Sequence, residues 1–325
     1  MQRKGTFKLR SEDEEIKEAG FLLDFDEIAR KGVMSKEETS IAKWYGLYAS
    51  RHAGNYMARV VIPGGVITSA QARCIATTAY KYAQGNINVT TRQAVQFHWL
   101  KIGHLADMMR ELQKTHLTTF HGCGDVTRIV TACSLAETCK FARLDVRKYA
   151  IKTQNYLGSF RDLDDLPRKF KITYSGCNTG CAQPYINCVG AIAQVTQIDG
   201  KETFGFKIVI GGGMGWKPFV AQELFSFVPE NQMLEVARAI AILFREHGDR
   251  FNRAKSRLKF VVDRLGIDEC RNIVIQNLQA ENKQFDNLIV NPITETGIPT
   301  PQRIKAVDFI AADGSYSIGV RIPKG

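Results

Sequence analysis

No stretch of this sequence approaches the roughly 18 uninterrupted apolar residues of a membrane span. The opening, MQRKGTFKLRSEDEEIKEAG, lacks the apolar centre and small-residue cleavage site of a secretory signal. No membrane association and a cytoplasmic address are therefore expected. Histidine is sparse, with six scattered copies, and His98 reads as a packed or partnered strand residue rather than a ligand. Acidic residues are in short supply: 33 Asp and Glu stand against 44 Lys and Arg, a net charge of +11. Such an excess often marks nucleic-acid binding, but nothing here resembles a groove-reading helix or an aromatic RNA platform. The excess is also concentrated. Between Lys140 and Lys171 nine Lys and Arg face four Asp. That favours a bound anionic cofactor or substrate over a diffuse solvated face.

The 325 residues are enough for two domains of ordinary size, and 44% hydrophobic residues can build a core. Residues 1–40 are charged and peripheral, with helical character around Glu12–Ala19. Ala58–Ile62 reads as a strand stopped by Pro63-Gly64-Gly65. Ser69 can cap a helix running to Gln84 and ended by Gly85. Asn86–Thr90 and Val95–Leu100 read as strands. Gly103–Thr115 places Leu105, Met108, Met109 and Leu112 at helical spacing. The order β-α-β-β-α is that of a ferredoxin-like sandwich, placed at residues 41–120. In the second domain, Ala132–Tyr156 reads as helical, Phe170–Tyr174 as a strand and Cys177–Pro184 as a loop. Val189–Gln197 and Phe206–Ile210 read as strands, and Gln232–His247 and Leu258–Leu278 as helices. Asn291–Arg303 holds three prolines and reads as a linker. Beyond it, Tyr316–Gly325 matches Tyr56–Gly65 at five of ten positions, a sign of internal duplication. Residue 325 is expected to lie just inside a second copy of the first domain.

Eight cysteines are present. A reducing compartment disfavours disulfides and favours metal binding or catalysis. Four form two pairs, Cys133-x5-Cys139 and Cys177-x3-Cys181. Gly176 and Gly180 flank the second pair, where a bare backbone can bend close to an inorganic core. A [4Fe–4S] cluster needs four such thiolates. Structural zinc usually takes tighter pairs, yet spacing alone leaves cluster, zinc and coincidence all open. Cys74, Cys123, Cys188 and Cys270 read as small buried hydrophobes.

Four basic residues stand in distinctive settings: Arg92 in Thr90-Thr91-Arg92-Gln93, Arg128 in Gly124-Asp125-Val126-Thr127-Arg128, and Lys169 and Lys171 in Leu166-Pro167-Arg168-Lys169-Phe170-Lys171. On a strand the two lysines point to one face. They would repel there unless an anion lay between them; a solvated strand face is the plain alternative. The segments IPGGVITSAQ, TTRQAVQFHW, GDVTRIV, LPRKFK and SGCNTGC, in this order and with Cys-x5-Cys before the last, resemble the sirohaem-containing sulfite and nitrite reductases. The resemblance covers about residues 41–280. GGGMG at 211–215 looks like that family's glycine-rich turn, and lacks the full G-x-G-x-x-G dinucleotide pattern.

The resemblance implies an α+β chain: a ferredoxin-like half-domain followed by an α/β sirohaem/[4Fe–4S]-binding domain at residues 121–290. Residues 1–40 would then be an extension, and 291–325 a linker and the start of a second repeat. By the same resemblance, Cys133, Cys139, Cys177 and Cys181 hold the [4Fe–4S] cluster, and Cys181 also bridges to the sirohaem iron. Arg92, Arg128, Lys169 and Lys171 would hold the substrate oxyanion, and Arg59 a sirohaem carboxylate. The implied activity is reduction of sulfite to sulfide, with nitrite to ammonia as the alternative. Lys171 resembles the sulfite enzymes, where plant-type nitrite reductases tend to carry Asn. A [4Fe–4S] electron-transfer repeat without its own working sirohaem is a further alternative. So is the fold-sharing precorrin-oxidising enzyme, which the paired lysines argue against. In many family members the substrate and cluster motifs are split between two pseudo-symmetric repeats. Here both lie in one, so a complete site is expected to need a second repeat or a partner chain. No flavin or nicotinamide domain is visible, and ferredoxin or a separate reductase subunit is the expected electron donor.

Overall fold

The computed structural model describes residues 15–16, 20, 22–280, 285, 287–294, 309–310, 316–317 and 320. Two short helices lead in, α1 (Phe25–Lys31) and α2 (Lys36–Ala42). Asp24 caps the first, and Ser35 with Glu38 closes the second in a capping box. Four antiparallel strands follow in the spatial order β1 (Leu47–Ala49), β2 (Tyr56–Val61), β4 (Ala94–Leu100), β3 (Ile87–Thr90). The period-2 pattern of β2 sends Ala58 and Val60 into the core and leaves Arg59 on the opposite face. Helices α3 (Ser69–Tyr82) and α4 (Leu105–Gln113) cover the core side, where Ile75, Ala79, Leu105, Met108 and Leu112 pack on Val95 and Phe97.

The β-α-β-β-α order is thus as read from the sequence. The cap of α3 is Thr68, one residue before Ser69, and Gln71 completes its capping box. Gly85 takes φ +72°, which fits its role as a stop.

The second unit is built on five strands in the order β5 (Thr131–Ala132), β6 (Ile172–Ser175), β7 (Val189–Ile198), β8 (Lys201–Ile210), β9 (Gln222–Pro229). The first three are parallel, and β8 and β9 add antiparallel edges. Helices α5 (Arg147–Gly158), α6 (Met233–His247), α7 (Leu258–Leu265) and α8 (Ile267–Ala280) contribute to its core with Phe170, Tyr174, Phe206, Phe225 and Phe244. Among the described residues no helix is long and apolar enough to cross a membrane.

Three expectations are corrected. The helix expected over Ala132–Tyr156 begins only at Arg147. Upstream of it the backbone is held by long-range bonds: Cys133 donates its N–H to Tyr174 and Arg143 donates to Gly176. Tertiary contacts override a run of good helix formers. The helix expected over Leu258–Leu278 is broken at Gly266, whose φ is +81°. Strand β9 was not anticipated. Of the N-terminal helical stretch only residues 15–16 are described, and of the repeated segment only residues 316–317 and 320. The rest of both readings lies outside the described residues.

Candidate functional site

The parallel pairing of β5 with β6 decides where the reactive groups stand. Before it, Thr127 bridges Phe170, and Arg128 donates its N–H to the Phe170 carbonyl at 2.8 Å. After it, Cys133 donates its N–H to Tyr174 at 2.8 Å. The Thr131 hydroxyl bonds the Thr173 hydroxyl at 2.8 Å, and that of Thr173 donates to Ala182 at 2.9 Å. The strand pair therefore carries cations at its N-terminal end and cysteines at its C-terminal end. Phe170 and Tyr174, which accept from Arg128 and Cys133, lie four residue steps apart on this strand, roughly 13 Å.

All eight cysteines are free thiols. Cys133, Cys139 and Cys177 are buried and Cys181 is exposed. Cys181 is the node of the set. It lies within electrostatic reach of Cys133, Cys177 and Cys139, while Cys133 is within reach of Cys177 and Cys181. Burial, with the neighbouring thiols adding to it, pushes the Cys133 thiol up to about 11 and raises that of Cys181. Among the described residues no three His, Cys, Asp or Glu side chains are close enough to share one metal ion. Cys181 and Cys133 tie the four thiols into one neighbourhood. A cubane takes one thiolate per iron corner, and four are at hand.

Gly176 serves the packing of the two pairs. A β-carbon there would stand 3.3 Å from Ala142 and 3.6 Å from Ala136, both in the segment of the first pair. Gly212 in the glycine-rich turn lets the loop after Cys181 approach, since a β-carbon would fall 2.3 Å from the Tyr185 carbonyl oxygen.

At the other end lies a cavity of about 290 Å³ lined by Tyr48, Arg59, Thr90, Thr91, Arg92, Arg128, Ile129, Lys169 and Lys171. Its wall carries five cations and no carboxylate. Arg59 and Arg128 both donate to the Gly122 carbonyl, which holds two like charges together. Arg92 donates through Nη1 to Asn187 at 2.8 Å and through Nη2 to the Ile172 carbonyl at 2.9 Å. The Nε atoms of Arg92 and Arg128 are buried without a hydrogen-bond partner. Orphaned buried donors of this kind are rare.

Burial, with nearby cations adding to it, holds both arginines below the ordinary arginine range. Burial and then Lys171, Arg257, Arg128 and Arg168 push the Lys169 ammonium down to about 8. Lys171 is lowered for the same reasons, burial first and then Arg92. Neither lysine has a carboxylate partner among the described residues.

The structure thus brings Arg59, Arg92, Arg128, Lys169 and Lys171 into one cavity and the four cysteines into another group. Cys123, read as structural, is a buried thiol in contact with Arg59 and the Gly46 carbonyl. Sequence reading missed Asn187, which orients Arg92, and Arg257, which faces the two lysines and donates to Met214 at 2.9 Å. Neither carries a local signal, because both act across long sequence separations.

Residues 123–282 match the family model described as the nitrite and sulphite reductase 4Fe-4S domain, and residues 48–115 match the nitrite/sulfite reductase ferredoxin-like half domain. The chain is 29% identical to the assimilatory ferredoxin-dependent nitrite reductase of Haloferax mediterranei, over 93% of this chain and 56% of that protein. It is 30% identical to the sulfite reductase (ferredoxin) of Mycobacterium tuberculosis, over 81% of this chain and 51% of that protein. Its fold superposes on the solved structure of the Mycobacterium tuberculosis NirA protein with a TM-score of 0.78 at 28% identity, covering 94% of this chain and 58% of that one. Dissimilatory sulfite reductase I shares the fold at 13% identity, with a TM-score of 0.57. The chain spans about half the length of the curated relatives it matches.

Proposed function

This chain belongs to the nitrite and sulphite reductase family, and from that premise we propose that it supplies a [4Fe–4S] seat and an oxyanion pocket for the sirohaem-dependent six-electron reduction of sulfite or nitrite. The observation that carries the reading is the cationic cavity itself: five basic side chains and no carboxylate among its lining residues. Cys133, Cys139, Cys177 and Cys181 would ligate the cluster. Cys181, the exposed thiol of the four, would also serve the sirohaem. When bound, cluster and sirohaem supply the electrons.

The chain's own residues hold and protonate the substrate. The planar forks of Arg92 and Arg128 match oxyanion oxygens. An ammonium at Lys169 poised near 8 can give a proton to a departing oxygen and regain it from water. Two adjacent ammonium groups favour the doubly charged anion, so sulfite is the proposed substrate and nitrite the second. Arg59 would serve a sirohaem carboxylate by a charge-assisted bond.

The presence of both the basic and the cysteine motifs in one repeat favours a shared site. The pocket of this chain would face a haem presented by a second repeat or partner chain, and its thiols would hold a haem whose far side another repeat completes. Ferredoxin or a reductase subunit is the proposed electron donor, in keeping with the names of the relatives. Free, metal-binding thiols fit a reducing cytoplasm. We place an extension at 1–40, the ferredoxin-like half-domain at 41–120, the cofactor domain at 121–290, and a linker with the start of a second repeat at 291–325. The test is an absorption and EPR spectrum of anaerobically purified protein, with iron and acid-labile sulfide analysis, then sulfite and nitrite assays with a reduced donor. A Soret band and a cluster signal are expected. Protein that takes up neither iron nor sulfide after anaerobic reconstitution would defeat the reading.

A further inference from the structure

We infer that Gln93 is a positioning residue for the thiol cluster: its side-chain amide closes the open edge of β5 immediately before Cys133. Gln93 lies in the β3–β4 turn, with a left-handed backbone at φ +51°. Its Nε2 donates to the Ala132 carbonyl at 2.7 Å, and its Oε1 accepts from the Ala132 N–H at 2.9 Å. Both bonds go to the backbone of one residue, as a neighbouring strand would supply them. Among the described residues β5 is the edge strand of its sheet and pairs only with β6. Cys133 gives its N–H to β6, so Ala132 points the other way and would otherwise be unpaired.

The bare backbone of Gly65 makes room, since a β-carbon there would fall 2.9 Å from the Gln93 side chain. Gly64 donates to Val130 at 2.9 Å, giving the segment a second grip. The ferredoxin-like half thereby fixes the chain direction on entry to Cys133. Through the adjacent Arg92, it also holds Asn187 in the loop that follows the second cysteine pair. This role rests on the cluster reading above.

The experiment compares full-length wild type with Gln93→Leu and Gln93→Glu. Gln154→Leu is the control, because Gln154 bonds Val130 in the same segment from the other side at 2.8 Å. The first readout is the EPR line shape and midpoint potential of the reduced cluster. Gln93→Leu is expected to shift both, Gln93→Glu to fall between, and Gln154→Leu to leave both unchanged. The second readout needs no cluster: the alkylation rate of Cys133 in apo-protein, with buried Cys270 as reference. Loss of two ordinary hydrogen bonds should raise that rate about tenfold in Gln93→Leu. An unchanged cluster signature and an unchanged alkylation rate overturn the inference, as does an equal change in Gln154→Leu. A wild type without iron and sulfide defeats the cluster reading alone, and the thiol measurement then still decides the role of Gln93.

Discussion

Gly190 lies directly beneath Pro184: a β-carbon on Gly190 would fall 2.5 Å from the Pro184 carbonyl oxygen and 2.6 Å from its Cβ. The loop from Cys177 to Asn187 runs back over β7 at this point, so its height above the sheet is set by an absent methyl group. Gly190→Ala is expected to cost about 1–3 kcal/mol through overpacking, read by chemical denaturation, and to lower the iron and sulfide retained. Gly103→Ala, with nothing within 4 Å of the added carbon, should change neither. Equal stability and cluster content in the two variants would contradict this account.

Replacing any one of Cys133, Cys139, Cys177 and Cys181 by Ser is expected to abolish the cluster signal. The four remaining cysteines offer a matched control. Cys74→Ser, Cys123→Ser, Cys188→Ser and Cys270→Ser should keep iron and acid-labile sulfide at the wild-type ratio per folded chain. Metal analysis after anaerobic reconstitution checks both arms. Loss of the cluster in a variant of the second group would redraw the ligand set.

Much of this arrangement is legible in the sequence because the signals are local. The Pro63–Gly65 stop, the helix start at Ser69 and the period of Leu105, Met108 and Leu112 each sit within a few residues of the element they define. The cysteine spacing and the Thr90–Gln93 and Leu166–Lys171 segments are equally compact. What was missed is held by distant partners. The segment 133–146 has helical composition, but its backbone is committed to Tyr174 and Gly176. Asn187 meets Arg92 across 95 residues, and no pattern within either segment announces the other. The roughly 13 Å from Phe170 to Tyr174, the acceptors of Arg128 and Cys133, follows from the register of two strands, which spacing in sequence does not reveal.

Lys171→Asn should separate the two substrates. Losing one hydrogen bond from a charged group is worth about 1.5–3 kcal/mol, and the doubly charged anion depends on it more. Sulfite affinity is expected to fall about 10- to 100-fold, with a smaller loss for nitrite. Lys169→Met and Lys171→Met should each abolish turnover while leaving the cofactor absorption near wild type. Full activity in either Met variant would remove that lysine from the mechanism.

Anion binding should also carry the signature of Lys169. Burial and the charges of Lys171, Arg257, Arg128 and Arg168 lower this ammonium to about 8 from an ordinary value of 10.5. A lowered lysine is fully charged only below its shifted value. Anion affinity should therefore be highest below about pH 8 and decline as pH rises through it, well before a free lysine would titrate. Nitrite is the probe of choice, since it keeps a single charge across this range. Arg257→Gln removes one of the charges that push Lys169 and Lys171 down, so the midpoint of the decline should move upward. Spectral titration with nitrite at a series of pH values measures both. A midpoint that stays in place in Arg257→Gln, or an affinity flat across this range in the wild type, would show that Lys169 does not govern the pocket.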